Sequence, residues 1–185
     1  MPFITTMQTL KIYFLLLVAI PGFCFAQNKD EEMIEWTASR QLTWSDYKGS
    51  PDPASDAAAS TTTYLGIEYK MDEKGFAYKI QCRFSLTRSW GRNKTDLILR
   101  HEQGHFDIAE LFARKLNKRM SEYQFNKTTY KTDLKSIYEG ITKGKETLQD
   151  LYDSETDHSR KKEQQIEWLR KIEKMLDELK DFSGY

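Results

Sequence analysis

Hydrophobic and polar positions follow three rhythms in succession along this chain. First comes an unbroken apolar run from Ile12 to Ile20, with Lys11 ahead of it and Pro21 and Gly22 behind. Between Thr62 and Phe84 the pattern alternates with a period of two. Thr63, Leu65, Ile67, Tyr69 and Met71 fall on one side of the first segment, and Thr62, Tyr64, Glu68 and Lys70 on the other. In the second segment Phe76, Tyr78, Ile80, Cys82 and Phe84 oppose Lys79, Gln81 and Arg83. Asp72, Glu73, Lys74 and Gly75 separate the two as a turn, and glycine accepts the positive φ such turns require. The pattern predicts an antiparallel hairpin with one wet face.

Beyond Asn93 the period lengthens to three and four. Asn93 and Thr95 are capping candidates, and the spacing predicts a first helix running to about Tyr123. A second, from about Thr129 to Tyr152, lines up Leu134, Ile137, Tyr138, Ile141, Leu148 and Leu151, with Gly140 and Gly144 as weak points. A third, from about Lys161 to Phe182, repeats Ile166, Leu169, Ile172, Leu176, Leu179 and Phe182, with Trp168 near the polar margin. Strands followed by helices predict an α+β domain: a small N-terminal antiparallel sheet packed on a C-terminal bundle of about three helices. Ahead of the hairpin, residues 27–33 read as a charged lead-in. Trp36, Leu42, Trp44 and Tyr47 then precede a Gly/Ser/Pro/Asp break at residues 49–53.

The leading apolar run is far shorter than the roughly 20 residues that span a bilayer. One lysine, a short apolar core, a Pro-Gly break and Ala26 instead have the layout of a secretory signal peptide cut after Ala26. The expectation is an exported protein, secreted or periplasmic, with no stable membrane span after cleavage. Residues 27–185 then form a single domain. Removing the leader takes Lys11 and no acid, leaving 27 basic against 28 acidic residues. Nothing in that balance favours nucleic acid, whose binding rests mainly on phosphate neutralisation. Cys24 leaves with the leader, so no intramolecular disulfide is available, and Cys82 on an alternating segment reads as a core hydrophobe.

Histidine changes the picture. The chain has three, and two of them, His101 and His105, fall on the first helix with Glu102 beside them. Four residues apart, their side chains diverge by only about 40° around the helix axis, so both imidazoles can reach one metal ion. This is the HExxH arrangement, with Glu102 placed to take a proton from the attacking water. Zn2+ is the expected ion, because it accepts nitrogen ligands tetrahedrally. Gly104 leaves room for close packing beside the ligands. Glu110 points about 140° away from His105 and is excluded as a ligand, whereas Leu97, Ile98, Ile108 and Phe112 share the histidine face.

A catalytic zinc normally has three protein ligands and an open position. The third histidine, His158, stands between the second and third helical patterns and is the leading candidate. Asp153, Glu155 and Asp157 are the alternatives for that place, or partners for the second ring nitrogen of His158. Tyr152 is a candidate oxyanion donor or, equally, a core aromatic. Trp44 and Asp46 read as structural. The functional expectation is a metallopeptidase acting on a peptide or protein, with an exposed hairpin edge available to an extended chain. The contrasting expectation is a non-catalytic binding or scaffold module with a structural metal.

Three stretches carry a resemblance. "LTWSDYKGSP", "HEQGHFDIAELFARKL" and "YDSETDH" followed by Gln165 and Trp168 resemble segments of a bacterial family of secreted zinc-dependent protease-like proteins, domain of unknown function 922. The resemblance covers nearly all of the chain after the leader. It implies a zinc site on the HExxH helix, and it implies that Tyr152, Thr156 and His158 belong to that site. Ser159 departs from the family pattern, in which a glycine is expected after the histidine.

Overall fold

A computed structural model describes residues 31–72 and 75–185. The leader expected over residues 1–26 lies outside the described residues, as do Glu73 and Lys74. Five strands and three helices follow in order: β1 (Met33–Glu35), β2 (Ala59–Ser60), β3 (Thr63–Asp72), β4 (Gly75–Ser85), β5 (Trp90–Gly91), α1 (Asp96–Ser121), α2 (Tyr130–Thr156) and α3 (Lys162–Glu178). The fold is α+β, a small antiparallel sheet followed by three helices, as the change of period predicts.

The alternating segments pair as β3 and β4, with Leu65 opposite Cys82, Ile67 opposite Ile80 and Tyr69 opposite Tyr78. This register puts both predicted apolar sets on one face. Gly75 closes the turn at φ 117°, a region that side chains avoid. β1 completes the sheet in the order β1-β4-β3, with Ile34 opposite Phe84. The sequence pattern does not mark β1, because three residues are too few to display a period. Cys82 is buried, and burial raises its thiol pKa.

α1 begins at Thr95, whose hydroxyl oxygen accepts the Ile98 backbone N–H at 3.3 Å. It lies between layers, with β3 and β4 on one side and α2 and α3 on the other. From His101 to Leu116 nearly every residue is therefore buried, not merely one stripe as the sequence pattern implies. The polar residues on the side away from the histidines are satisfied internally. Glu110 accepts from Arg114 Nε at 2.8 Å and from the Tyr185 hydroxyl, while Arg114 Nη1 donates to the Leu176 carbonyl at 2.7 Å. Gln103 accepts the Leu42 backbone N–H at 2.8 Å and donates to Asp107, which also receives the Trp36 indole N–H.

Two helix predictions need correction. α2 does not stop near Tyr152 but continues to Thr156, and its C-cap Asp157 is left-handed. On α3 the buried positions are Gln165, Trp168 and Ile172, whereas Ile166 is exposed. The stripe is turned by about one residue because Trp168, placed at the margin by its position, packs against Tyr152 with ring centroids 5.6 Å apart. Among the described residues no helix is long and apolar enough to cross a membrane.

Candidate metal centre

His101 and His105 occupy successive turns of α1, and their Nε2 atoms are 3.3 Å apart. Asp153, near the end of α2, brings Oδ1 to 2.9 Å from His101 Nε2 and 3.1 Å from His105 Nε2. Two nitrogens and one oxygen thus mark a small triangle. Tetrahedral zinc with ligands at about 2.0–2.1 Å would set its donors roughly 3.3 Å apart, so the triangle has close to the size one ion requires. The donor types suit zinc as well: neutral imidazoles and a carboxylate. These residues form the one group of potential metal donors that converge in this way among the described residues.

Both imidazoles are supported by neighbouring side chains. His105 Nδ1 lies 2.8 Å from Gln149 Oε1. An amide oxygen only accepts, so this contact keeps the proton on Nδ1 and turns the Nε2 lone pair toward the triangle. Beneath the pair sits Tyr152, fully buried, its ring stacked on His101 at 4.6 Å and edge-on to His105 at 5.2 Å. A β-carbon on Gly104 would come within 2.6 Å of the Tyr152 hydroxyl oxygen. That close approach is what the glycine between the histidines permits. The Tyr152 hydroxyl donates to the His101 carbonyl at 3.3 Å, so it faces the helix backbone and supports the imidazoles from below.

Electrostatics follow from burial and from one carboxylate. Burial pushes His101 below the ordinary imidazole value. Burial pulls His105 the same way, but hydrogen bonding to Asp153 and the charges of Glu102 and Asp153 outweigh it and leave His105 raised. For Asp153, burial acts upward, yet bonds to both imidazoles hold it well below the usual carboxylate range.

Glu102 is buried, and among the described residues nothing hydrogen-bonds to or pairs with its carboxylate. It lies close enough to Tyr47 and Tyr152 for its charge to add to the burial that raises both phenols. Tyr47 comes from the "LTWSDYKGSP" stretch, and its hydroxyl meets Thr61 Oγ1 at 2.8 Å. In the same stretch Asp46 accepts from the Thr43 backbone N–H and from Arg40, both at 2.8 Å. These bonds shape the short 3-10 turn at Trp44–Asp46, so Asp46 acts locally.

The other predicted site residues lie on the solvent side. His158 Nδ1 is 3.6 Å from Asp153 Oδ1, and its side chain is 67% exposed. The structure therefore places the Asp153 carboxylate, not His158, as the third converging donor, with His158 next to it at the rim. Asp157, His158 and Ser159 take φ values of 49°, 48° and 76°, a run of left-handed backbone that costs non-glycine residues strain. Hydrogen bonds from His158 N to the Asp153 carbonyl and from Lys161 N to the Thr156 carbonyl, both at 2.9 Å, hold the turn. Ser159 is left-handed at the position where a glycine is expected. Thr156 is fully buried and donates to the Tyr152 carbonyl at 2.7 Å. Glu155 instead accepts the Trp168 indole N–H at 2.7 Å.

Sequence reasoning missed Gln149. The signal was available: it precedes Asp153 by one helical turn, on the same face of α2.

Residues 26–159 match the sequence family described as "Bacterial protein of unknown function (DUF922)". No curated protein and no solved structure matches the chain.

Proposed function

The chain belongs to that family, and we propose that it is an exported zinc-dependent peptidase. The observation supporting this reading most directly is the convergence of His101 Nε2, His105 Nε2 and Asp153 Oδ1 within 2.9–3.3 Å of one another. Two histidines and a carboxylate are a known donor set for catalytic zinc. A zinc ion held there supplies Lewis acidity, which polarises a substrate carbonyl and lowers the pKa of water to about 7.

The remaining chemistry belongs to this chain's side chains. Glu102 is buried beside the ligands and unpaired, so its carboxylate is free to accept a proton from the attacking water and return it to the leaving amine nitrogen. Gln149 and Tyr152 fix the imidazoles. Solvent and substrate approach from the side of Asp153 and His158, since both of these side chains are partly open to solvent while His101, His105 and Glu102 are buried. His158 is the second candidate for the third ligand position, because its Nδ1 already lies 3.6 Å from the Asp153 carboxylate. Should it instead add a fourth protein ligand, the metal would be structural and the protein a binding module.

The deciding experiment pairs metal analysis of the purified protein with cleavage of a peptide library. One zinc per chain is expected, lost in His105→Ala, together with peptide hydrolysis that disappears in Glu102→Ala while zinc remains. A zinc-loaded wild type that cleaves no peptide would refute the peptidase reading.

A further inference from the structure

Gln165 lies in the first turn of α3 and is 1% exposed. Its Nε2 donates to the Leu97 carbonyl oxygen at 2.8 Å. That contact fixes which way the amide faces, since the reverse orientation would set two acceptor oxygens against each other. The other half of the amide, Gln165 Oε1, is buried with no hydrogen-bond partner among the described residues, and so is His101 Nδ1. In a regular helix the Leu97 carbonyl is the one that accepts the His101 backbone N–H. The Gln165 amide therefore stands against the very turn of α1 that carries the His101 ring.

Two buried polar atoms are thus left over beside one turn of α1, not bonded to each other in this structure, and they call for a common explanation. On the zinc reading above, His101 ligates through Nε2, so its ring proton resides on Nδ1. That N–H sits where water does not reach and needs an acceptor. We infer that Gln165 is a positioning residue for His101, its Oε1 accepting the His101 Nδ1–H as Gln149 Oε1 does for His105. Each imidazole would then be oriented by one glutamine, from α2 for His105 and from α3 for His101. Gln165 lies beyond residue 159, where the family match ends, but within the stretch whose motif resembles the family's C-terminal segment.

The test rests on the zinc reading and separates from it. Protein labelled with 15N in histidine is loaded with zinc, and NMR reads the two Nδ1–H groups. The wild type should show both as slowly exchanging, downfield signals, with a cross-peak between His101 Hδ1 and the Gln165 side chain. Gln165→Leu should shift and broaden the His101 signal alone and weaken zinc binding roughly 10- to 100-fold. Gln165→Glu keeps an acceptor oxygen while losing the donor to Leu97, and should retain the His101 signal. An unchanged His101 signal in Gln165→Leu would overturn the inference, as would equal losses in both variants, which would assign Gln165 to holding Leu97 only. If Gln165→Leu does not fold, the wild-type cross-peak decides, and its absence is equally fatal. A wild type that binds no zinc and shows no zinc-dependent Nδ1–H removes the metal centre itself.

Discussion

The Tyr152 ring lies 4.6 Å from the His101 imidazole and within 20° of parallel to it. The two come from different helices, and their stacking is possible only because residue 104, between the histidines, has no side chain. Gly104→Ala should therefore act on stability and on the ligands together. Its methyl group would fall 2.6 Å from the Tyr152 hydroxyl oxygen, and overpacking of this kind costs about 1–3 kcal/mol. Urea unfolding of the variant, with zinc content measured alongside, checks both effects. A fully stable, fully loaded variant would show that Tyr152 has room to move.

Ligand identity is open to a direct ranking. Asp153 touches both imidazoles, whereas His158 touches only Asp153. Asp153→Ala should weaken zinc binding by more than His158→Ala, for which a loss of roughly 10- to 100-fold, typical of a group behind the ligands, is expected. Competition with a chromophoric chelator measures both. The reverse order would make His158 the ligand, as the sequence suggests.

Glu102→Gln should leave zinc binding and fold nearly unchanged, since no partner is lost. Peptide hydrolysis should fall by about 100- to 10,000-fold, the usual contribution of a general base. A variant retaining full turnover would remove Glu102 from the chemistry.

Proton competition has a definite sign. His105 is raised and His101 lowered from the ordinary imidazole value of about 6.5. As pH falls, His105 takes its proton first and His101 later. Zinc affinity should thus decline about tenfold per pH unit at first and about a hundredfold per unit once both imidazoles must be deprotonated by the metal. Titrations between about pH 8 and pH 5 would show the steepening, while an affinity independent of pH would exclude imidazole ligands.

Ser159→Gly should stabilise the protein. At φ 76° a glycine relieves strain that a serine side chain suffers, a gain on the order of 1 kcal/mol. Thermal or denaturant unfolding reads it directly. A loss of stability would mean that the buried serine side chain matters more than the backbone it sits on.

The hairpin and α1 were legible because both faces of their periods are long: eleven residues of β4 and twenty-six of α1. The histidine pair was legible for the same reason, since a four-residue step within a helix fixes relative direction. The third donor was not. Reading α2 as ending near Tyr152 leaves the following segment free to bend back and deliver His158. Helix continuing to Thr156 instead delivers Asp153 and carries His158 past the site. Helix ends are set by a few capping interactions, here the left-handed Asp157, and no hydrophobic rhythm announces them. Gln165 was legible only through the family resemblance and without a role, because a polar side chain in a buried position looks like solvent-facing surface to any pattern of apolar spacing.

Because α1 is buried at nearly every residue from His101 to Leu116 while the Asp153 side chain, near a helix end, remains 29% exposed, the three donors differ in how freely they can adjust. The imidazoles are set like stones in a mount. On the proposed zinc reading, a cation larger or smaller than zinc would be met by moving the carboxylate, and the choice among ions would be exercised at the tapering end of α2 rather than on the helix that bears the histidines.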